Sequence, residues 1–100
     1  MIYKLELTLQ EMKVLGFRYD RELNDYTYNF AVYRSNGRAT LYAKIGVDED
    51  NNRVWWNVYD NDGKLYTPYY NRNFGKSDVV DSVDDSISKE LLRLGAVESE

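Results

Sequence analysis

From Ile2 to Leu7 apolar and polar residues alternate, with Tyr3, Leu5 and Leu7 on one side, which is the period of a half-buried β-strand. The period then changes. Thr8 and Glu11 have the spacing of a capping box, Leu7 and Met12 that of a hydrophobic staple, and Gly16 can end a helix in the left-handed conformation. Together they predict a helix over Leu9–Leu15. At about two turns it cannot persist alone in water, so Leu9, Met12 and Leu15 are expected to pack on neighbouring structure. Phe17 to Arg21 reads as a further strand, closed by the turn sequence ELND.

The strongest local signal is Asn36-Gly37, a pair suited to a type I′ turn because both central residues must take positive φ. A hairpin centred there pairs Ser35 with Arg38, Val32 with Leu41, Phe30 with Ala43 and Tyr28 with Ile45, giving one apolar face. Tyr33 with Thr40, Ala31 with Tyr42 and Asn29 with Lys44 fall on the other. A slip of one residue would exchange the faces, so turn chemistry and hydrophobic pattern check each other. A two-residue turn at Asn51-Asn52 continues the meander, pairing Val47 with Trp56 and Ile45 with Val58. Asp62-Gly63 offers a third turn, which read as type I′ pairs Tyr59 with Tyr66 and Trp55 with Tyr70; a bulge at the glycine would move this register. Pro68 has no N–H to give a ladder, so this last strand is expected at a sheet edge.

Beyond a loop rich in Asn and Gly, Ser77 can cap a helix in which Val80, Val83, Ile87, Leu91 and Leu94 recur at helical spacing, and Gly95 marks its end. Asp78, Asp81, Asp84 and Asp85 lie early and Lys89 and Arg93 late, the order the helix dipole favours. The expected fold class is α+β. It consists of an antiparallel β-meander of about five to six strands, with a short N-terminal helix and a long C-terminal helix packed on the sheet, forming a single domain over residues 1–100.

Within that meander Trp55 and Trp56 are adjacent, and successive side chains of a strand point to opposite faces. Trp56 is expected in the main core, facing Val47 and the long helix. Trp55 joins Tyr33, Tyr42, Tyr59, Tyr66 and Tyr70 on a second, aromatic face. With the long helix on the aliphatic face, the aromatic one is left to loops, to the short helix or to a partner. A partly exposed face of Tyr and Trp points to protein contact, because these residue types are enriched at interface hot spots.

Composition narrows the function classes. Ten tyrosines favour strands and half-buried surfaces. The formal charge is −4, from 13 Lys and Arg against 17 Asp and Glu, so the chain shows no basic footprint for phosphates and nucleic acid is not an expected partner. No apolar run approaches the roughly 20 residues of a membrane span, and no basic-then-apolar leader opens the chain, so no membrane partner and a cytoplasmic location are expected. The lack of cysteine excludes disulfides and thiolate sites and fits the cytosol.

The lack of histidine excludes Ser-His-Asp triads and imidazole metal sites. Carboxylate pairs stay formally open, but the acids concentrate at Asp48 to Asp50, at Asp78 to Asp85 and at the C-terminus, where turns and helix starts use them as caps. Asp48-x-Asp50-x-Asn52 has the opening of a calcium loop, yet Arg53 stands at the sixth position in place of Gly and Tyr59 at the twelfth in place of Glu. Gly16, Gly37, Gly63 and Gly95 each have a turn or cap to serve, and no phosphate loop is present. No catalytic residue, metal or cofactor is expected.

In size, acidity, tyrosine-rich hairpins and lack of His and Cys the chain resembles small proteins of phages and other bacterial mobile elements, a likeness of composition without a family motif. With the aromatic face, this implies a non-catalytic protein-interaction module that binds a host protein. The alternatives are an acidic inhibitor whose carboxylates stand in for nucleic-acid phosphates, and a small enzyme using paired carboxylates. A deep pocket lined by convergent carboxylates would favour the enzyme.

Overall fold

In the computed structural model, which describes residues 2–71 and 78–99, the capping box at Thr8 is formed from both sides. Thr8 Oγ1 accepts from the Glu11 N–H at 3.1 Å, and Glu11 Oε1 accepts from the Thr8 N–H at 3.0 Å. Helix α1 (Leu9–Leu15) ends where Gly16 takes φ 107°; the Gly16 N–H reaches Lys13 O at 3.2 Å and the Phe17 N–H reaches Met12 O at 2.9 Å. Met12 and Leu15 pack against the core, whereas Leu9 is exposed. At about 100° per residue Leu9 stands about 120° around the helix from Leu15, so a contact centred between Met12 and Leu15 leaves it out.

Strands β2 (Arg18–Asp20), β3 (Asp25–Ser35), β4 (Arg38–Val47) and β5 (Val54–Asp60) form an antiparallel sheet in that order. Asn36 (φ 53°) and Gly37 (φ 78°) make the tight turn, and the expected partners Ser35–Arg38, Ala31–Tyr42, Phe30–Ala43, Asn29–Lys44 and Tyr28–Ile45 all meet. Register shifts around Tyr33 set it opposite Leu41, which replaces the expected Val32–Leu41 and Tyr33–Thr40 pairs. The irregularity gives Tyr33 the face of Leu41, so its ring packs against the core instead of joining the second face.

The β4–β5 connection corrects the expected register by two residues. Val47 pairs with Val54 and Ile45 with Trp56, not Val47 with Trp56 and Ile45 with Val58. Asp48 is the cause. Its Oδ1 accepts from the Asp50 N–H at 2.9 Å, while the Asp48 N–H is bonded to Arg53 O and its carbonyl to the Asn52 N–H. The loop therefore closes over four residues, with Asn52 left-handed at φ 60°. Because the shift is even, every side chain keeps its face.

After β5 the shift is odd, and the faces change. Asp60 Oδ1 accepts from the N–H groups of Asp62 and Lys64, Gly63 takes φ 80°, and Tyr59 bridges Leu65 where Tyr66 was expected. Tyr66 consequently turns to the core. Over the described residues 61–71 no strand forms: Pro68 sits in the first turn of α2 (Thr67–Tyr70), where a missing N–H costs nothing. The expected pair of Trp55 with Tyr70 does not form.

Helix α3 (Asp78–Leu94) buries all five expected residues, Val80, Val83, Ile87, Leu91 and Leu94. Ser77, expected as its cap, and the loop segment 72–77 lie outside the described residues. Tyr28 of β3 ties the helix down, its hydroxyl donating to Glu90 at 3.0 Å and accepting from Arg93 at 3.0 Å. Burial, with the Glu90 carboxylate beside it, pushes the Tyr28 phenol above its ordinary range. Past Gly95 the chain forms β6 (Val97–Ser99), which pairs antiparallel with β1 (Ile2–Lys4). That pairing carries no local sequence signal.

The fold is the expected α+β arrangement, with six strands in sheets of four and two, a short N-terminal helix and a long C-terminal helix packed on the sheet. Met12, Leu15, Tyr69 and the apolar stripe of α3 all join one core with Ala43, Ile45 and Val58. The described helices are thus gathered on the first face of the four-stranded sheet.

Candidate functional site

On the other face, strand alternation lines up two cross-strand rows, Ala31–Tyr42–Tyr59 and Asn29–Lys44–Asn57, and next to them the pair Gly46–Trp55. Lys44 Nζ lies 2.6 Å from Asp20 Oδ2 and 5.9 Å from the centre of the Tyr59 ring. The hydrogen bond from Lys44 holds the Asp20 carboxyl below its ordinary range, and the same bond raises Lys44. This ion pair fixes the polar middle of the face between its aromatic ends.

Trp55 owes its position to Gly46. A Cβ built on Gly46 would lie 2.3 Å from Trp55 Cζ2, 2.5 Å from Cε2 and 2.7 Å from Nε1. The indole edge fills the space where any other residue carries a side chain, so Trp55 lies across the backbone of β4. Sequence reasoning missed Gly46, although the signal was present: a glycine inside an alternating strand, serving no turn or cap, marks a close approach. Gly46→Ala should displace the ring and cost about 1–2 kcal/mol by overpacking. Urea melts and tryptophan emission check this, and an unchanged midpoint with unchanged emission would show that the ring is not seated there.

Of the six residues expected to share this face, the structure keeps Tyr42, Trp55 and Tyr59 together. Tyr33 and Tyr66 pack against the core, for the reasons of register given above. Tyr70 closes the outer edge of β5, its hydroxyl accepting from the Val58 N–H at 2.9 Å and donating to Asn57 Oδ1 at 3.1 Å. Among the three that remain, Tyr42 is the exposed ring, and Trp55 and Tyr59 are half-buried.

Two shallow depressions flank the face. One of about 390 Å³ is lined by Glu22, Tyr42, Lys44, Tyr59 and Asp60 among others. The other, about 380 Å³, is lined by Leu23, Asn24, Asp25, Asp48, Glu49, Asp50 and Trp55. Asp48, which opens the calcium-like run, is committed to its own turn. Among the described residues no group of acids is arranged to hold a metal ion.

A third concavity, a cleft of about 470 Å³, lies on the helix side between Tyr3, Trp56 and Tyr69 on one wall and Asp81, Asp84, Asp85 and Ser88 of α3 on the other. Trp56 was expected deep in the core opposite Val47. It pairs with Ile45 instead and is half-buried as a wall of this cleft, because the two-residue shift moved it along β4 and Tyr69 of α2 covers its edge. A chain of hydrogen bonds runs from Trp56 Nε1–H to the Tyr69 hydroxyl at 3.0 Å and from that hydroxyl to Asp84 Oδ1 at 2.8 Å. The Tyr3 hydroxyl donates to Ser88 Oγ at 3.0 Å, and Asp85 pairs with Lys89 at 3.0 Å.

The architecture has a solved counterpart. The chain is similar to the crystal structure of a DUF1831 family protein from Lactobacillus plantarum, with a TM-score of 0.53 over 95% of this chain and 84% of that one, at 14% identity. At that identity the likeness establishes the fold alone. No family model matches the chain, and no curated protein does.

On this shared architecture the chain offers two surfaces of different chemistry. The open face presents aromatic rings held on rigid strands, with carboxylates in the loops at one end. In the cleft Asp84 accepts from Tyr69, which also takes the Trp56 N–H and so links α3 and α2 to β5, while Asp85 pairs with Lys89 within α3. No described helix is long and apolar enough to cross a membrane.

Proposed function

We propose that the chain is a non-catalytic protein-interaction module that docks a protein partner on the uncovered sheet face, with Tyr42, Trp55 and Tyr59 as its contact rings. The supporting observation is the asymmetry of the sheet. Helices gather on one face, while the other keeps three aromatic side chains on rigid strands, including an indole seated on glycine. Rings fixed before binding lose little conformational freedom on contact, which is why Tyr and Trp dominate interface energies. The reading includes a cytoplasmic setting and a host protein as the partner of a small phage or mobile-element protein, supported by the acidic, cysteine-free composition.

A second reading has one observation behind it: the cleft brings Asp81, Asp84 and Asp85 to one wall, as a carboxylate enzyme would need. Against it, Asp84 accepts the Tyr69 hydroxyl and Asp85 is paired with Lys89.

Capture from a bacterial lysate separates the two. A partner retained by the wild-type protein and by Asp81→Asn, but lost from folded Trp55→Ala and Tyr42→Ala variants, is the expected result. A partner that ignores the face variants and is lost with Asp81→Asn would overturn the docking reading in favour of the cleft.

A further inference from the structure

We propose that the partner seats a basic segment at the Trp55 end of this face, presenting a lysine or arginine side chain to the indole inside a rim of carboxylates; the inference rests on the docking reading above. Asp25 opens β3, and Asp48, Glu49 and Asp50 belong to the β4–β5 loop. These two parts of the chain, distant in sequence, come together beside Trp55 around the depression of about 380 Å³. Across both depressions the described lining includes Glu22, Asp25, Asp48, Glu49, Asp50 and Asp60, against Lys44 as cation. Lys44 is already held by Asp20 at 2.6 Å, so the charge lining the two depressions is net negative.

That charge selects the occupant. A second copy of this chain brings the same sign of charge, with a net −4, and nucleic acid or an anionic lipid surface is repelled in the same way. A basic segment is drawn in. An ammonium or guanidinium placed over an indole gains a further attraction from the ring quadrupole, strongest for tryptophan among the aromatic side chains. The contact of the ring with Gly46 fixes its position, so the platform exists before the partner arrives.

The two tryptophans supply the test, because one indole reports the open face and the other the cleft. In ¹⁵N-labelled protein, titration with a deca-lysine peptide should move the Trp55 indole N–H resonance and leave that of Trp56 in place, while deca-glutamate moves neither. The isosteric double variant Glu49→Gln/Asp50→Asn should weaken deca-lysine binding about tenfold, since rim charges act through attraction that added salt also screens. Movement of the Trp56 resonance alone, or equal binding by the double variant, overturns the assignment. If deca-lysine moves neither indole while the captured partner still depends on Trp55 and Tyr42, the basic-segment assignment fails and the docking reading stands. If the captured partner ignores the face variants, the docking reading itself has failed.

Discussion

Leu91→Ala is expected to lower stability by about 3–4 kcal/mol, and Leu92→Ala, one residue along, by less than about 0.5 kcal/mol. The two positions carry the same side chain on the same helix and differ in environment: Leu91 is 0% exposed and Leu92 is 58% exposed. Truncating Leu91 removes a side chain packed between α3 and the sheet and leaves a cavity that the rigid strands beneath cannot collapse into. Truncating Leu92 removes a side chain that mostly faces water. For a domain whose whole stability is of the order of 5–15 kcal/mol, the first change takes away a large share. Urea melts of the two variants at matched pH decide it, and equal losses would mean that α3 docks in a different rotation from the one described.

The second large effect is expected at Trp56. Trp56→Ala should cost about 2–3 kcal/mol, less than a fully buried indole because one edge of the ring faces the cleft. The loss combines the packing of the ring beside Tyr3, 6.2 Å away between centroids, with the bond from Nε1–H to Tyr69. Trp56→Phe keeps an aromatic ring and loses the donor, and should fall between the wild-type protein and the alanine variant. Trp55→Ala should cost about 1 kcal/mol, because its ring is half-buried beside the Gly46 backbone and not enclosed in the core. Similar and large losses at both tryptophans would mean that both faces act as closed cores, and the docking reading would lose its main support.

Parity of register decided which side chains kept the faces expected of them. At the β4–β5 loop the expected turn was two residues too short, yet Trp55 and Trp56 stayed on the faces assigned to them, since a shift of two leaves the alternation intact. After β5 the error was one residue, and Tyr66 went to the core. Around Tyr33 an irregularity inside an otherwise correct hairpin did the same to a single ring. The candidate face was therefore legible where the alternation held, at Tyr42, Trp55 and Tyr59, and was lost at the Tyr33 irregularity and after Asp60, whose side chain competes with the ladder for backbone N–H groups.

By itself the sequence determined what depends on residues close along the chain: the capped helix after Thr8, the Asn36-Gly37 turn, the apolar stripe of α3 and the separation of the two indoles. These follow from hydrogen bonds and periods that a few neighbouring residues complete on their own. Tertiary structure alone decided which face the described helices pack on, how β6 comes to pair with β1, and where the Trp55 indole rests. Each of those depends on a meeting between segments distant in sequence, where the free energy comes from burial and fit and not from local propensity. At Gly46 the absence of a side chain has meaning only because β5 lays Trp55 across it.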